Sequence, residues 1–406
     1  MPKIFLHLGF PKTGSTYTQA FLSKNRDILE SRGLRYPKIV DRRGKETLGH
    51  STAFFAAFTE DPATHAALAR QGRNSLEDKE HFIDQLSQSI DFDGDLIFSG
   101  EGIPSLSKDA LKDVKEFLRR TKKRIIPICL VRDPYEYTVS HIQQSVKRER
   151  PLLVSRRSVV GHHKKLSRTF GEVRVLSYNA IRQQENDVAL ELLKHIGASQ
   201  SGLSQPNSGS RNESLSDNAT RIMGHINTVF PKSPETTAGA NVRSVNDIRE
   251  LRYIKGGGKF LLTNGEYDAI ADDISAEVEY LTATLGESFE GKPPDTRAVP
   301  APWSDEDIQY ILDSFSTLGW PGVIGAYSYF SFYRNISDTW IEVLRGEVEK
   351  KAAKGRRTGQ EIPAIQPNEK MIDGLRKGAE QTASRFLSDR EIVEHIQGVN
   401  ALTARS

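Results

Sequence analysis

The sequence predicts an α/β fold: a central parallel sheet flanked by helices, followed by a C-terminal helical extension. Three observations lead there. Short apolar runs alternate with longer stretches of helical periodicity over most of the chain, the pattern of a sheet whose crossovers are helices. The first apolar run feeds at once into a glycine-containing loop and then a helix. From about residue 296 the alternation stops, and a Pro-rich stretch (RAVPAPW) gives way to aromatic-rich and charged helical patterns.

Each element follows in chain order. Residues 4–8 are a short apolar run that ends in the loop GFPKTGST. Residues 17–31 read as a helix with Ala20, Phe21, Ile28 and Leu29 as apolar positions. Further strands are expected at 96–99 (LIFS), 125–131 (IIPICLV) and 173–177 (VRVLS). Helical patterns separate them at roughly 75–90, 107–121, 135–148 and 180–196. Residues 199–218 are a polar Ser/Asn/Gly loop, and 262–286 resume a helical pattern through Ile270, Ile274, Val278 and Leu281. The organisation is therefore a core over 1–292 and a helical extension over 296–406, with no internal repeat. Ligands in such sheets bind at the carboxyl ends of the strands.

Composition narrows the class. The chain has 406 residues, 37% hydrophobic and 27% charged, as a globular protein does. No apolar run approaches the roughly 20 residues of a membrane helix. KIFLHLGF enters the loop directly and predicts a strand, not a signal peptide, so the expected compartment is the cytoplasm. The single cysteine, Cys129, excludes an intramolecular disulfide and a cysteine-based zinc cluster.

The loop carries the chemistry. Gly9 and Gly14 have the spacing of a Walker A phosphate loop, G-x-x-x-x-G-K-[ST], and Thr16 is in place. Ser15, however, stands where that motif has lysine, and Lys12 lies inside the loop. Backbone N–H groups of residues 12–16 and the following helix N-terminus make a concavity of partial positive charge suited to an anion. Gly14 permits close backbone approach; Thr13, Ser15 and Thr16 offer hydroxyls, and Lys12 a cation. The competing reading is an ordinary Gly/Ser turn capping a helix. On residues alone, the anion could be any nucleotide phosphate. A second segment, VRDPYEYTVSHIQQ at 131–144, places Arg132 at the end of a strand and Ser140 on the helix beyond an Asp-Pro turn. Both can converge on a further phosphate, which an arginine fork binds through parallel charge-assisted hydrogen bonds. An Arg–Asp pair capping the helix is the alternative.

Taken together, PKTGSTYTQ, VRDPYEYTVS and VRVLSYNAI resemble the sulfotransferases that use 3′-phosphoadenosine 5′-phosphosulfate (PAPS), over roughly residues 1–290. The resemblance implies a P-loop-like phosphosulfate-binding loop in which Thr13, Gly14, Ser15 and Thr16 hold the 5′-phosphate. It implies that Lys12 neutralises the bridging oxygen and that Tyr17 lies toward the adenine. Arg132 and Ser140 would grip the 3′-phosphate. Tyr178 would line the adenine, although Asn179 replaces the commoner glutamate. Arg211 begins a short R-N-x-S-L-S stretch that would close over the nucleotide. The implied reaction moves a sulfuryl group to an acceptor hydroxyl or amine, of a carbohydrate first, leaving adenosine 3′,5′-bisphosphate and using no metal. A P-loop kinase-like phosphotransferase and a catalytically silent nucleotide- or polyanion-binding protein are the alternatives.

An acceptor hydroxyl needs a general base. Glu101 in LIFSGEGIP occupies the family's position beyond a strand end, and His50 in LGHSTAFF is the rival. His7 reads as structural, and His162–His163 as part of a basic loop without partner ligands. Residues 147–168 hold eight Lys/Arg and one acidic residue. They suit either an anionic glycan acceptor or a solvated loop complementing the nucleotide; nucleic acid fits less well because stacking aromatics are missing. KGGGK at 255–259 reads as a glycine turn. YSYFSFYRNISDTWIEVLR in the extension fits packing onto the core or pairing subunits as a homo-oligomer.

Overall fold

The strands β1 (Lys3–His7), β2 (Leu34–Arg35), β3 (Asp95–Ser99), β4 (Arg124–Val131) and β5 (Arg174–Ser177) form one sheet in the order β2–β3–β1–β4–β5, with every pairing parallel. This computed structural model describes residues 1–156, 158–206, 214–231, 245–285, 294–383 and 385–404. The four longer strands lie where the apolar runs predicted them. Only the two-residue β2 is unannounced by its sequence, being too short for any period to show.

The runs are nearly continuous in apolar residues because helices cover both faces of a parallel sheet. Ile4, Leu6, Leu96, Phe98, Cys129 and Val131 belong to one buried cluster; Phe5, Ile97, Ile126, Ile128 and Leu130 belong to the other. That alternation is the two-residue period of a strand. Pro127 interrupts β4 harmlessly. The carbonyl of Ile128 faces β1, so the position before it faces the β5 side, where pairing starts only at Ile128↔Arg174. The missing N–H is therefore not needed.

Helices Ser15–Lys24 and Val188–Ile196 pack on one face; Leu76–Ile90, Lys108–Arg119 and Val160–Phe170 pack on the other. From β1 the chain runs toward β2, and from β4 it runs the opposite way to β5. The switch point of the sheet therefore falls between the adjacent ends of β1 and β4, where such sheets open a crevice.

Three predicted helices are each broken, and 262–286 divides into Asn264–Asp268 and Ala271–Leu285. Residues 17–31 split at Asn25, whose Nδ2 donates to the carbonyls of Phe21 and Ser204, both at 2.8 Å, closing the first helix. Residues 180–196 split into Tyr178–Gln183 and Val188–Ile196, the second capped by the Asp187 side chain on the N–H groups of Ala189 and Leu190.

Contacts divide the chain into two interleaved units, one of residues 1–137, 157–211 and 275–292, the other of 138–156, 212–274 and 293–406. This boundary differs from the one read at 292–296. The second unit is centred on helix Asp217–Val229, buried at twelve of thirteen positions, so it needs cover on every side. Helix Trp320–Tyr333 supplies part of that cover, with Tyr329, Phe330 and Phe332 buried in the same cluster. Those aromatic residues are thus enclosed within their own unit. KGGGK is a structural turn there: Gly257 and Gly258 have φ of +78° and +63°, and the Gly258 carbonyl accepts from the N–H of Asp217. No helix among the described residues is long and apolar enough to cross a membrane.

Candidate functional site

The loop after β1 first prolongs the sheet. Leu8 N–H donates to the Ile128 carbonyl at 2.8 Å and Phe10 N–H to the Leu130 carbonyl at 3.3 Å. A Cβ on Gly9 would stand 3.0 Å from His7 Nε2, so any larger residue would have to push that ring aside. Lys12 and Gly14 then adopt left-handed conformations, φ +72° and +79°. For lysine that conformation is unusual and costs on the order of 1–3 kcal/mol. Helix Ser15–Lys24 starts at Gly14, whose carbonyl accepts the Thr18 N–H at 2.9 Å. The first N–H groups of any such helix lack intrahelical acceptors and face the loop.

Individual side chains take distinct roles. Thr13 is fully buried and its hydroxyl donates to the Phe10 carbonyl at 2.6 Å, so it braces the loop from within. Ser15 Oγ donates to the Glu101 carboxylate, and Thr16 is exposed. Tyr17 donates its hydroxyl to Asp187, and burial, with that carboxylate, raises its pKa. His7 offers Nδ1 to Ser99 Oγ at 2.8 Å, and burial pushes its pKa down to about 4, so the ring is neutral.

Across the switch point stands Arg132 at the end of β4. Its Nη1 donates to the Lys12 carbonyl at 3.4 Å, and its Nε and Nη2 both reach Glu136 Oε2 at 3.0 Å. Its guanidinium lies 5.6 Å from the centre of the Tyr178 ring, and that ring is 3.5 Å from where a Gly14 Cβ would be. Loop, β4 corner and β5 end therefore meet in one cluster of the first unit. Asn179 locks the corner: its Oδ1 accepts the Asp133 N–H at 2.8 Å, and its Nδ2 donates to Glu136 at 3.2 Å. The Arg–Asp pair of the alternative reading takes another form. Asp133 caps the helix at the Glu136 N–H, 2.9 Å, while Arg132 pairs one turn on.

The two base candidates sit in opposite environments. Glu101 follows β3 in a turn, half-buried, in hydrogen bond with the loop serine. His50 has no exposed surface; its Nδ1 accepts the Ser99 N–H and its Nε2 faces the Pro37 carbonyl, both at 3.0 Å, between the rings of Tyr36 and Phe98. Burial holds its pKa at about 4. Both ring nitrogens are engaged with backbone, so His50 fixes the β3 end instead of meeting solvent or substrate.

The remaining sequence candidates are placed as follows. Ser140 is half-buried, two turns along helix Pro134–Lys147, in the part assigned to the second unit. Arg211 lies outside the described residues. The basic stretch is not one loop: 147–156 belong to the second unit, and His162 and His163 lie on helix Val160–Phe170, bonded to the Pro104 carbonyl and the Tyr280 hydroxyl. Among the described residues, no group of three or more His, Cys, Asp and Glu is arranged to hold a metal ion. Glu136 and Asp187 are residues here that the sequence did not mark, and Asn179 entered only as a departure from the commoner glutamate. The four-residue spacing of Arg132 and Glu136 was a visible signal; Asp187, far away in sequence, gave none. No family model, no curated protein and no solved structure matches the chain.

Proposed function

We propose that the chain is a sulfotransferase that binds PAPS at the β1–β4 switch point and transfers its sulfuryl group to an acceptor hydroxyl or amine, of a carbohydrate in the first instance. The observation that carries this reading is the convergence of Arg132, the Lys12 carbonyl and the Tyr178 ring beside Gly14, at the carboxyl ends of three parallel strands. A cation, a helix N-terminus and an aromatic face are what a phosphorylated adenosine requires.

The residues fit such a donor with one tension. Glu136 already occupies the Arg132 fork, so a phosphate there must displace a carboxylate. PAPS supplies an activated S–O bond, which breaks as the acceptor oxygen or nitrogen bonds to sulfur. The N–H groups of the loop and the hydroxyl of Thr16 hold the 5′ end, and Lys12 stabilises the negative charge that builds on the leaving phosphate oxygen. Glu101, tied to Ser15, takes the proton from the acceptor. Arg132 holds the 3′-phosphate and excludes nucleotides lacking it. The acceptor class proposed is an anionic glycan.

Calorimetric titration with adenosine 3′,5′-bisphosphate, beside ATP with and without magnesium, tests the donor site. Binding of the bisphosphate that falls about tenfold or more in Arg132→Ala is the expected result. A preference for magnesium ATP returns the loop to a kinase-like phosphotransferase. Bisphosphate binding with no sulfuryl transfer to any acceptor, indifferent to Lys12→Ala, identifies a silent binder.

A further inference from the structure

A second basic feature lies on the flank of the first unit. Helices Lys108–Arg119 and Val160–Phe170 enclose a cavity of about 390 Å³ lined by Lys108, Lys112, Lys115, Lys165 and Arg168. Glu116 is the only acidic residue of that lining among the described residues, and it already accepts from Arg119 at 3.0 Å. The lysines of the first helix are spaced i, i+4, i+7 and so share one face over about 10 Å. Lys165 and Arg168, three apart, face them from the second helix.

Five cations concentrated in one cavity repel one another, and the carboxylates nearby, Glu116 and Asp109, are too few to neutralise them. Lys115 and Lys165 are held by backbone carbonyls, those of Thr169 and Leu106. Burial and the neighbouring Lys108 charge lower the Lys165 pKa. Lys112 pairs with Asp109 at 2.7 Å, and both are exposed. A group bearing negative charge relieves this repulsion. A single oxyanion cannot span a 10 Å row, whereas a chain with regularly repeated charges can. No aromatic ring lines the cavity, so nothing there would stack a nucleobase.

The cavity also points somewhere. His162, one turn before Lys165 on the same helix, bonds to the Pro104 carbonyl at 2.9 Å and lies 6.0 Å, ring to ring, from Phe10 of the loop. Pro104 is three residues past Glu101. The basic row thus runs from the flank toward the loop and the carboxylate.

We infer that this cavity seats the sulfate or carboxylate groups of an anionic polysaccharide, at sugar residues beyond the one that reacts. The inference rests on the glycan reading of the acceptor and not on the nucleotide, so the two fail separately. The test measures binding of a chemically defined, fully sulfated hexasaccharide to the full chain, with Lys112→Ala and Arg168→Ala as variants. Both side chains are exposed, so the fold is retained. The expected result is an affinity lower by about tenfold in each variant, a shallower salt dependence, and unchanged affinity for adenosine 3′,5′-bisphosphate. Undiminished hexasaccharide binding in both variants overturns the inference. So does tighter binding of single-stranded DNA of equal charge, which would make the cavity a nucleic-acid contact. Loss of bisphosphate binding in Arg132→Ala with hexasaccharide binding intact supports both sites independently.

Discussion

Arg132 is claimed twice, by Glu136 now and by a phosphate if the donor site is as proposed. The carboxylate takes two of its donors through one oxygen, at 3.0 Å each, and Asn179 steadies that oxygen. Glu136→Gln keeps the shape and the amide contact but removes the competing charge. Affinity for adenosine 3′,5′-bisphosphate should therefore rise by about tenfold in calorimetry; a fall would mean that Glu136 positions Arg132 and does not oppose the ligand. Gly14 is constrained differently. Its φ of +79° disfavours any side chain, and a Cβ would meet Tyr178 at an ordinary 3.5 Å. Gly14→Ala should then cost about 1–2 kcal/mol in urea unfolding, chiefly through the backbone. A Gly14→Asn variant should lose less, since asparagine tolerates this conformation.

The strands and the loop were legible because their signals are local: runs of four to eight apolar residues bounded by turns, and a glycine spacing. What stayed hidden depends on partners distant in sequence. Nothing in LGHSTAFF says that His50 will be closed between Tyr36, Phe98 and two backbone groups. The break at Asn25 depends on Ser204, 179 residues on. The loop geometry was legible at Gly9 and Gly14 but not at Lys12, whose left-handed backbone no propensity foretells. In the second unit the helix Asp217–Val229 carries Arg221, fully enclosed, bonded to Asp217 at 2.9 Å and Glu266 at 3.0 Å, so its polar residues read as surface and lie in the core. The close crossing of this helix with Trp320–Tyr333 depends on Gly325, whose added Cβ would stand 2.7 Å from Ile226 Cγ1. Gly325→Val should lower stability by about 1–3 kcal/mol, read as a reduced urea midpoint at unchanged slope.

Over the whole molecule, the histidines set the response to acid. Burial lowers the pKa of His7, His50 and His395 to about 4 and that of His225 to about 3, and Ser328 lies between the last two at 3.0 and 3.5 Å. Above pH 6.5 these rings are neutral whether the chain is folded or not. Below it the unfolded chain takes up protons that the folded chain refuses, so stability falls from about pH 6.5 down to about pH 4. Each ring contributes roughly 1 kcal/mol per pH unit over that window. Thermal unfolding followed from pH 7.5 to 4 should show the midpoint drop steeply, and a flat profile to pH 5 would contradict the buried neutral state. The interleaving of the units has a consequence for synthesis. Helix Asp217–Val229 emerges from the ribosome roughly 90 residues before Trp320–Tyr333, the element that buries much of its apolar surface. At bacterial or eukaryotic elongation speeds that is a delay on the order of 5–20 s. During it Ile222, Met223 and Ile226 lack the cover that the later helix gives them, and the nascent chain carries an adhesive surface until that helix arrives.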